Sequence, residues 1–290
     1  MEFGFLNINK PLNCTSHDVI TLLRKSLGIK KIGHCGTLDP FATGVLIVGI
    51  NDATKLLEYL PSDKTYIAKI VFGVETNTND ITGEVLKRAD NIPSLKEIKE
   101  NLKSYIGQVK QKPPIFSAIK INGHRSYNLA RQNKISIEHI KEKTIEIYSS
   151  KILSYVNNEL LLEIHCSKGT YIRSIARDLG YTLNTYAILS SLQRVKIGSP
   201  FTIENSIDPK LITKLTLKEY LIASTSALQL QKIYLSSEQV KDISLGKSIK
   251  TVERYNDAPL RQLLDNNNKL VAVGTLTEDC SIKPKKVFVK

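Results

Sequence analysis

The chain has 290 residues, 41% of them apolar and 24% charged, and carries a formal net charge of +13. This length supports one large domain, or a large one with a small companion, and no apolar run is long enough to cross a bilayer. The positive excess favours a polyanionic partner, held by counterion release, over a small neutral one.

Residues 3 to 9, FGFLNIN, place Leu6 and Ile8 on one face of a short strand that Lys10-Pro11 ends. A helix follows, capped by Thr15 or Ser16, with Asp18 in its first turn. Val19, Ile20, Leu23 and Leu27 recur at helical spacing before Gly28 stops it. Residues 33 to 44, GHCGTLDPFATG, form a glycine-rich loop around one acid, Asp39. The run GVLIVGI behind it suits a strand buried on both faces. In KTYIAKIVFG, residues 64 to 73, Tyr66, Ala68, Ile70 and Phe72 share one side of a strand.

TNTNDITGE reads as a turn-rich connection, and Ser94 with Glu97 makes a capping box for a helix carrying Leu95, Ile98 and Leu102. NELLLEIHC is a strand and Ser167 to Thr170 a turn. Ile172, Ile175, Ala176 and Leu179 then form one face of a helix ended by Gly180. TLKEYLIASTSALQLQ reads as helical. Beyond it the segments shorten: LSSEQVKDISLG is a small helix, KLVAVGTLTE and KPKKVFVK are strands, and DNNN is a turn. The expected class is α+β rather than a βαβ series, with residues 1–232 as a large domain and residues 233–290 as a small β-rich module.

Cys14, Cys35, Cys166 and Cys280 form no C-x-x-C pair, and the five histidines have no ligand spacing, so neither a zinc site nor a disulfide framework is expected. The start, MEFGFLNINKP, has no basic segment ahead of an apolar run, so a cytoplasmic protein is expected. A dinucleotide fingerprint and a Walker loop are both missing. On residue type alone, Asp39 before Pro40 is either an Asx-turn residue or an acid presented for chemistry.

The segments NKPLNCTSHDV, KKIGHCGTLDPFATGVL, DATKLLEYL, DKTYIA, KPPIFSAIKINGHRSYNLAR, EIHCSKGTYIRSIARDLG and LQRVKIG resemble, in order, the TruB family of bacterial tRNA pseudouridine-55 synthases. The tail is similar to the PUA-type RNA-binding module of that family. The resemblance implies a pseudouridine synthase fold, with a mixed, largely antiparallel central sheet flanked by helices. It implies isomerisation of uridine-55 to pseudouridine in the T loop of tRNA, by base flipping and an aspartate nucleophile, with no cofactor and no metal. The alternative is a non-catalytic tRNA-binding and folding protein; the guide-RNA-dependent relatives that modify ribosomal RNA are a second one.

Residue by residue, Asp39 matches the catalytic aspartate and Arg173 the arginine that pairs with it and favours its charged form. Tyr66 matches the tyrosine that stacks on the uracil and is a candidate for handling the C5 proton. Leu192 matches the apolar residue under the base, a position that core packing would explain equally well. His34 matches the histidine that contacts RNA beside the flipped base. The implied partner is the tRNA T stem-loop; no membrane and no obligate protein partner are expected, and the protein is expected to be a monomer. Departures from the family pattern are Cys35 for threonine, Phe116 for tyrosine, Gln193 for arginine, and Asn13 and Asn133 for glycine.

Overall fold

β1 (Gly4–Lys10) and β3 (Ala42–Ile50) pair antiparallel along their whole length, from Gly4 opposite Ile50 to Lys10 opposite Gly44. They begin the main sheet of a computed structural model that describes residues 3–121, 123–132, 134–252 and 258–289. Its other strands are β2 (Ile32–Cys35), β4 (Lys64–Phe72), β5 (Gly107–Gln111), β6 (Lys143–Val156), β7 (Glu159–Cys166), β8 (Ala187–Ile197) and β9 (Phe201–Thr202). The order is β1-β3-β8-β4-β7-β6-β5, with β9 beside β8 and β2 beside β3. Among the described residues only β3–β8 is a parallel pair in this sheet, so it is mixed and largely antiparallel as expected.

β3 is buried over nearly its full length because three elements use it. Leu46, Val48 and Ile50 pack with Leu6 and Ile8 against α1 (Ser16–Leu27), while Val45 and Ile47 face the opposite way. Thr15 caps α1 in a reciprocal capping box with Asp18, and Gly28 ends it in the left-handed conformation, φ 68°. α2 (Leu95–Lys103) has the Ser94–Glu97 capping box. α3 (Ser126–Arg131) lies in an excursion between β5 and β6. α4 (Ile172–Thr182) buries Ile172, Ile175, Ala176 and Leu179 against Tyr66, Ala68 and Ile70 of β4.

Two sequence expectations fail here for identifiable reasons. Gly180 does not stop α4, which runs on to Thr182. A Cβ at Gly180 would lie 2.6 Å from the Ala187 nitrogen, so the glycine serves the close approach of β8 instead. The helical run from residue 216 is also broken. α5 (Leu217–Tyr220) and α6 (Ser224–Ala227) flank Ile222, which exchanges both backbone hydrogen bonds with Phe5. Pairing at the free edge of β1 outweighs helix continuation.

A second sheet contains β10 (Gln231–Tyr234), β11 (Ile249–Lys250), β12 (Leu260–Leu264), β13 (Leu270–Leu276) and β14 (Ser281–Val287), in the order β10-β12-β13-β14-β11. α7 (Ser237–Ser244) starts at a Ser236–Gln239 capping box. Leu264, Leu270 and Val273 share one apolar cluster with Phe5, Val45, Ile47 and Phe201, so the two sheets meet across a common core. Among the described residues no helix is long and apolar enough to cross a membrane.

Candidate active site

The loop carrying Asp39 is fixed from both sides. Downstream, the Ala42 N–H donates to the Asp39 carbonyl at 3.0 Å, closing a turn with Pro40 at its second position that leads straight into β3. Upstream, the Leu38 N–H donates to Ser16 Oγ at 3.0 Å. The Pro40 carbonyl accepts from the Asn13 N–H at 2.9 Å and from Lys10 Nζ at 3.4 Å. Lys10 is fully buried, and its ammonium also donates to the carbonyls of Pro11 and Cys14. Burial pushes it below the ordinary lysine value. Asn13 takes φ 58°, the left-handed backbone that asparagine tolerates; Asn133 lies outside the described residues.

Two glycines of this stretch are required by the protein's own backbone. Gly36 has φ 73°, and Gly44 has φ 100° with a would-be Cβ 2.2 Å from the Arg194 carbonyl. Gly44 is therefore what lets β3 and β8 run side by side. The segment expected as loop also contains β2, in which His34 stands opposite Val48.

Asp39 and Arg173, 134 positions apart, meet because α4 begins at the end of the sheet where β3 begins. Arg173 Nη2 donates to Asp39 Oδ1 at 3.1 Å, and Nε lies 2.9 Å from Oδ2, a two-pronged contact. The guanidinium is held by more than Asp39. Nη1 donates to the Thr78 carbonyl at 3.1 Å and lies 3.3 Å from Asp80 Oδ2, and Nη2 donates to the Phe116 carbonyl at 3.0 Å. The start of α4 is fixed by Gln111, which accepts from the Tyr171 N–H and donates to the Tyr171 carbonyl.

The side chains of Arg173 and Asp80 are only 5% and 4% exposed, whereas that of Asp39 is 35% exposed. Asp39 thus presents its carboxylate at an opening. Burial pushes its carboxyl above the ordinary range, and Asp80 adds to that rise; Arg173 opposes both without cancelling them. The sequence expectation of an arginine that favours the charged form therefore captures only one side of an opposed set, and the larger side is burial.

The opening is a cavity of about 280 Å³ whose walls include Asp39, Tyr66, Tyr171, Arg173, Leu192 and Arg194. Four of the five candidate residues, Asp39, Tyr66, Arg173 and Leu192, are thereby brought together. His34 is not part of the wall. It is half-buried on β2, with burial and Arg194 holding its imidazole below the ordinary value, and among the described residues its buried Nδ1 has no partner. Three contributors were not singled out from sequence. Local pattern marks Asp80 as one residue of a turn-rich segment, gives Arg194 no role, and offers Ser16 only as a helix cap. The one available signal was a lone acid, Asp80, among Thr76, Thr78 and Thr82.

Residues 24–172 match the model of the TruB family pseudouridylate synthase N-terminal domain. The chain is 41% identical over 260 residues to tRNA pseudouridine synthase B of Borrelia garinii subsp. bavariensis, covering 89% of this chain and 90% of that one. It is 42% identical over 245 residues to the Thermosipho melanesiensis protein of the same name, covering 84% and 79%. Among solved structures it resembles a chain of a Cbf5-Nop10-Gar1 complex, with a TM-score of 0.73 and 25% identity over 99% of this chain and 85% of that one. A chain of an H/ACA RNP bound to a substrate RNA has the same fold, with a TM-score of 0.73 and 22% identity over 99% and 85%.

Proposed function

The chain belongs to the TruB family of pseudouridylate synthases, and from that premise we propose that it converts uridine-55 in the T loop of tRNA to pseudouridine, with Asp39 as the nucleophile. The observation that carries this reading is the partly exposed Asp39 carboxylate, gripped by buried Arg173 in a cavity shared with Tyr66 and Leu192. The isomerisation breaks the N1–C1′ bond, turns the uracil, joins C5 to C1′ and exchanges the C5 proton for one on N1. Nothing is oxidised, and the step asks for an ionised oxygen nucleophile beside the nucleoside.

Arg173 fixes the direction of the Asp39 carboxylate and shares its charge, while Leu192 and the Tyr66 ring give the flipped base an apolar floor and a stacking face. His34, a neutral half-buried imidazole on the neighbouring edge strand, stacks in the space that the base leaves. The net charge of +13 suits the tRNA T stem-loop, with residues 233–290 as an RNA-binding module. The protein acts as a cytoplasmic monomer without cofactor or metal. Incubation with an unmodified tRNA transcript, followed by base-resolved pseudouridine mapping, tests this: modification at position 55 is expected, and an unmodified position 55 refutes the reading.

A further inference from the structure

Tyr66 and Arg194 stand opposite one another on β4 and β8, in register, and both side chains line the cavity. Arg194 is 1% exposed, and its hydrogen bonds run to main-chain oxygens: Nε donates to the Val45 carbonyl at 2.7 Å and Nη2 to the Gly36 carbonyl at 2.8 Å. Across the register pair its guanidinium faces the Tyr66 side chain. A guanidinium has five N–H donors and no acceptor. The Tyr66 proton therefore cannot go to Arg194: the phenolic oxygen can only accept from that side, and its own proton is left for another partner. Among the described residues no protein acceptor takes that proton, and the open side of the ring is the cavity.

We propose that Tyr66, oriented by Arg194, is a hydrogen-bond donor to the uracil during isomerisation and not the base that removes the C5 proton. The proposal rests on the cavity being the uridine site. When the N1–C1′ bond breaks, its electron pair stays with the ring and spreads from N1 to the carbonyl oxygens. A donor already aimed at that charge stabilises the transition state without reorganising. Burial also holds the phenol above its ordinary value, which keeps the proton on the oxygen at neutral pH. A phenol that retains its proton cannot accept another from C5. The acceptor in the cavity is the Asp39 carboxylate: the C5–H bond breaks and an Asp39 O–H bond forms, N1 takes a proton from water, and the hydroxide left behind removes the Asp39 proton, so the carboxylate and the water are both restored.

The test replaces Tyr66 with tetrafluorotyrosine, close to tyrosine in size but with a far more acidic phenol. A donor role predicts a loss of roughly 100-fold in single-turnover rate at neutral pH, with recovery as the pH falls and the phenol regains its proton. Full activity at neutral pH, where the ring is ionised, overturns the donor role. A second arm uses Tyr66→Phe on a stem-loop carrying 5-fluorouridine, whose C5 has no proton to lose. Equal slowing of rearrangement on uridine and 5-fluorouridine supports the donor role, whereas slowing confined to uridine overturns it. A wild-type protein that leaves the unmodified transcript unchanged refutes the functional reading instead, and is told apart by that control alone.

Discussion

Asp80 stands behind Arg173, its Oδ2 3.3 Å from Nη1, with both side chains almost fully buried. Its Oδ1 accepts from Thr78 Oγ1, the Thr82 N–H and Thr82 Oγ1, so the carboxylate cannot turn away. Asp80→Asn places an amide N–H against a guanidinium that only donates, or else strips these three bonds. Single-turnover rates should fall by about 10- to 100-fold, roughly 1.4–2.7 kcal/mol, with little change in RNA affinity. The acid limb of the pH–rate profile should also move to lower pH, because the Asp80 charge helps to raise Asp39. An unmoved limb would show that Asp80 does not act on the Asp39 charge.

Asp39→Asn should abolish isomerisation and leave tRNA affinity within about tenfold, roughly 1.4 kcal/mol. Stability provides an independent reading. The folded Asp39 carboxyl lies above its unfolded value, so between the two values the folded chain binds more protons and wild-type stability rises as pH falls. At neutral pH the ionised carboxylate is disfavoured by folding. The asparagine variant should melt no lower than wild type there, and any advantage should shrink as pH falls towards the ordinary aspartate value. Differential scanning calorimetry across pH checks both parts.

Gly44→Ala forces a Cβ to within 2.2 Å of the Arg194 carbonyl at φ 100°. Backbone on both sides leaves little to yield, and strain of this kind costs about 1–3 kcal/mol. A drop in melting temperature on the order of 5 °C is expected, together with lost activity, because the Asp39 loop leads into β3 and β8 carries Leu192 and Arg194 of the cavity wall. Normal melting would mean that the parallel contact is not needed.

His34→Ala should slow modification of folded tRNA more than of a flexible stem-loop, from which the uridine is cheaper to extract. Equal losses on both substrates in single-turnover assays would remove His34 from the extruded state.

Deleting residues 233–290 takes Leu264, Leu270 and Val273 away from Phe5, Val45 and Ile47. With about 1.5–3 kcal/mol for each large apolar side chain left uncovered, the remainder should melt at least about 10 °C lower or aggregate. A soluble, equally stable fragment would show that the shared core is dispensable.

Much of this molecule was legible where a local rule had no competitor. The cap at Thr15, the capping box at Ser94, the helix stop at Gly28 and the alternation of Tyr66, Ala68, Ile70 and Phe72 all stand as their residue types dictate. Local rules failed where a distant strand claimed the backbone, at Gly180 against Ala187 and at Ile222 against Phe5. The same limit hid Asp80 and Arg194. A buried ion pair between residues 80 and 173, or an arginine bonded to the carbonyls of residues 36 and 45, follows from strand register, which periodicity along one segment does not encode.

The partners of the Asp39 loop come from residues 10, 13, 16 and 173, and β3 beside it finds its parallel neighbour only in residues 192–194. A chain emerging from the ribosome therefore exposes the Asp39 loop long before the strand that seats it has been made. Such long-range pairing folds slowly. The carboxylate stays without its arginine until most of the main sheet has been synthesised, so a stalled or shortened chain carries the basic surface but not the assembled chemistry.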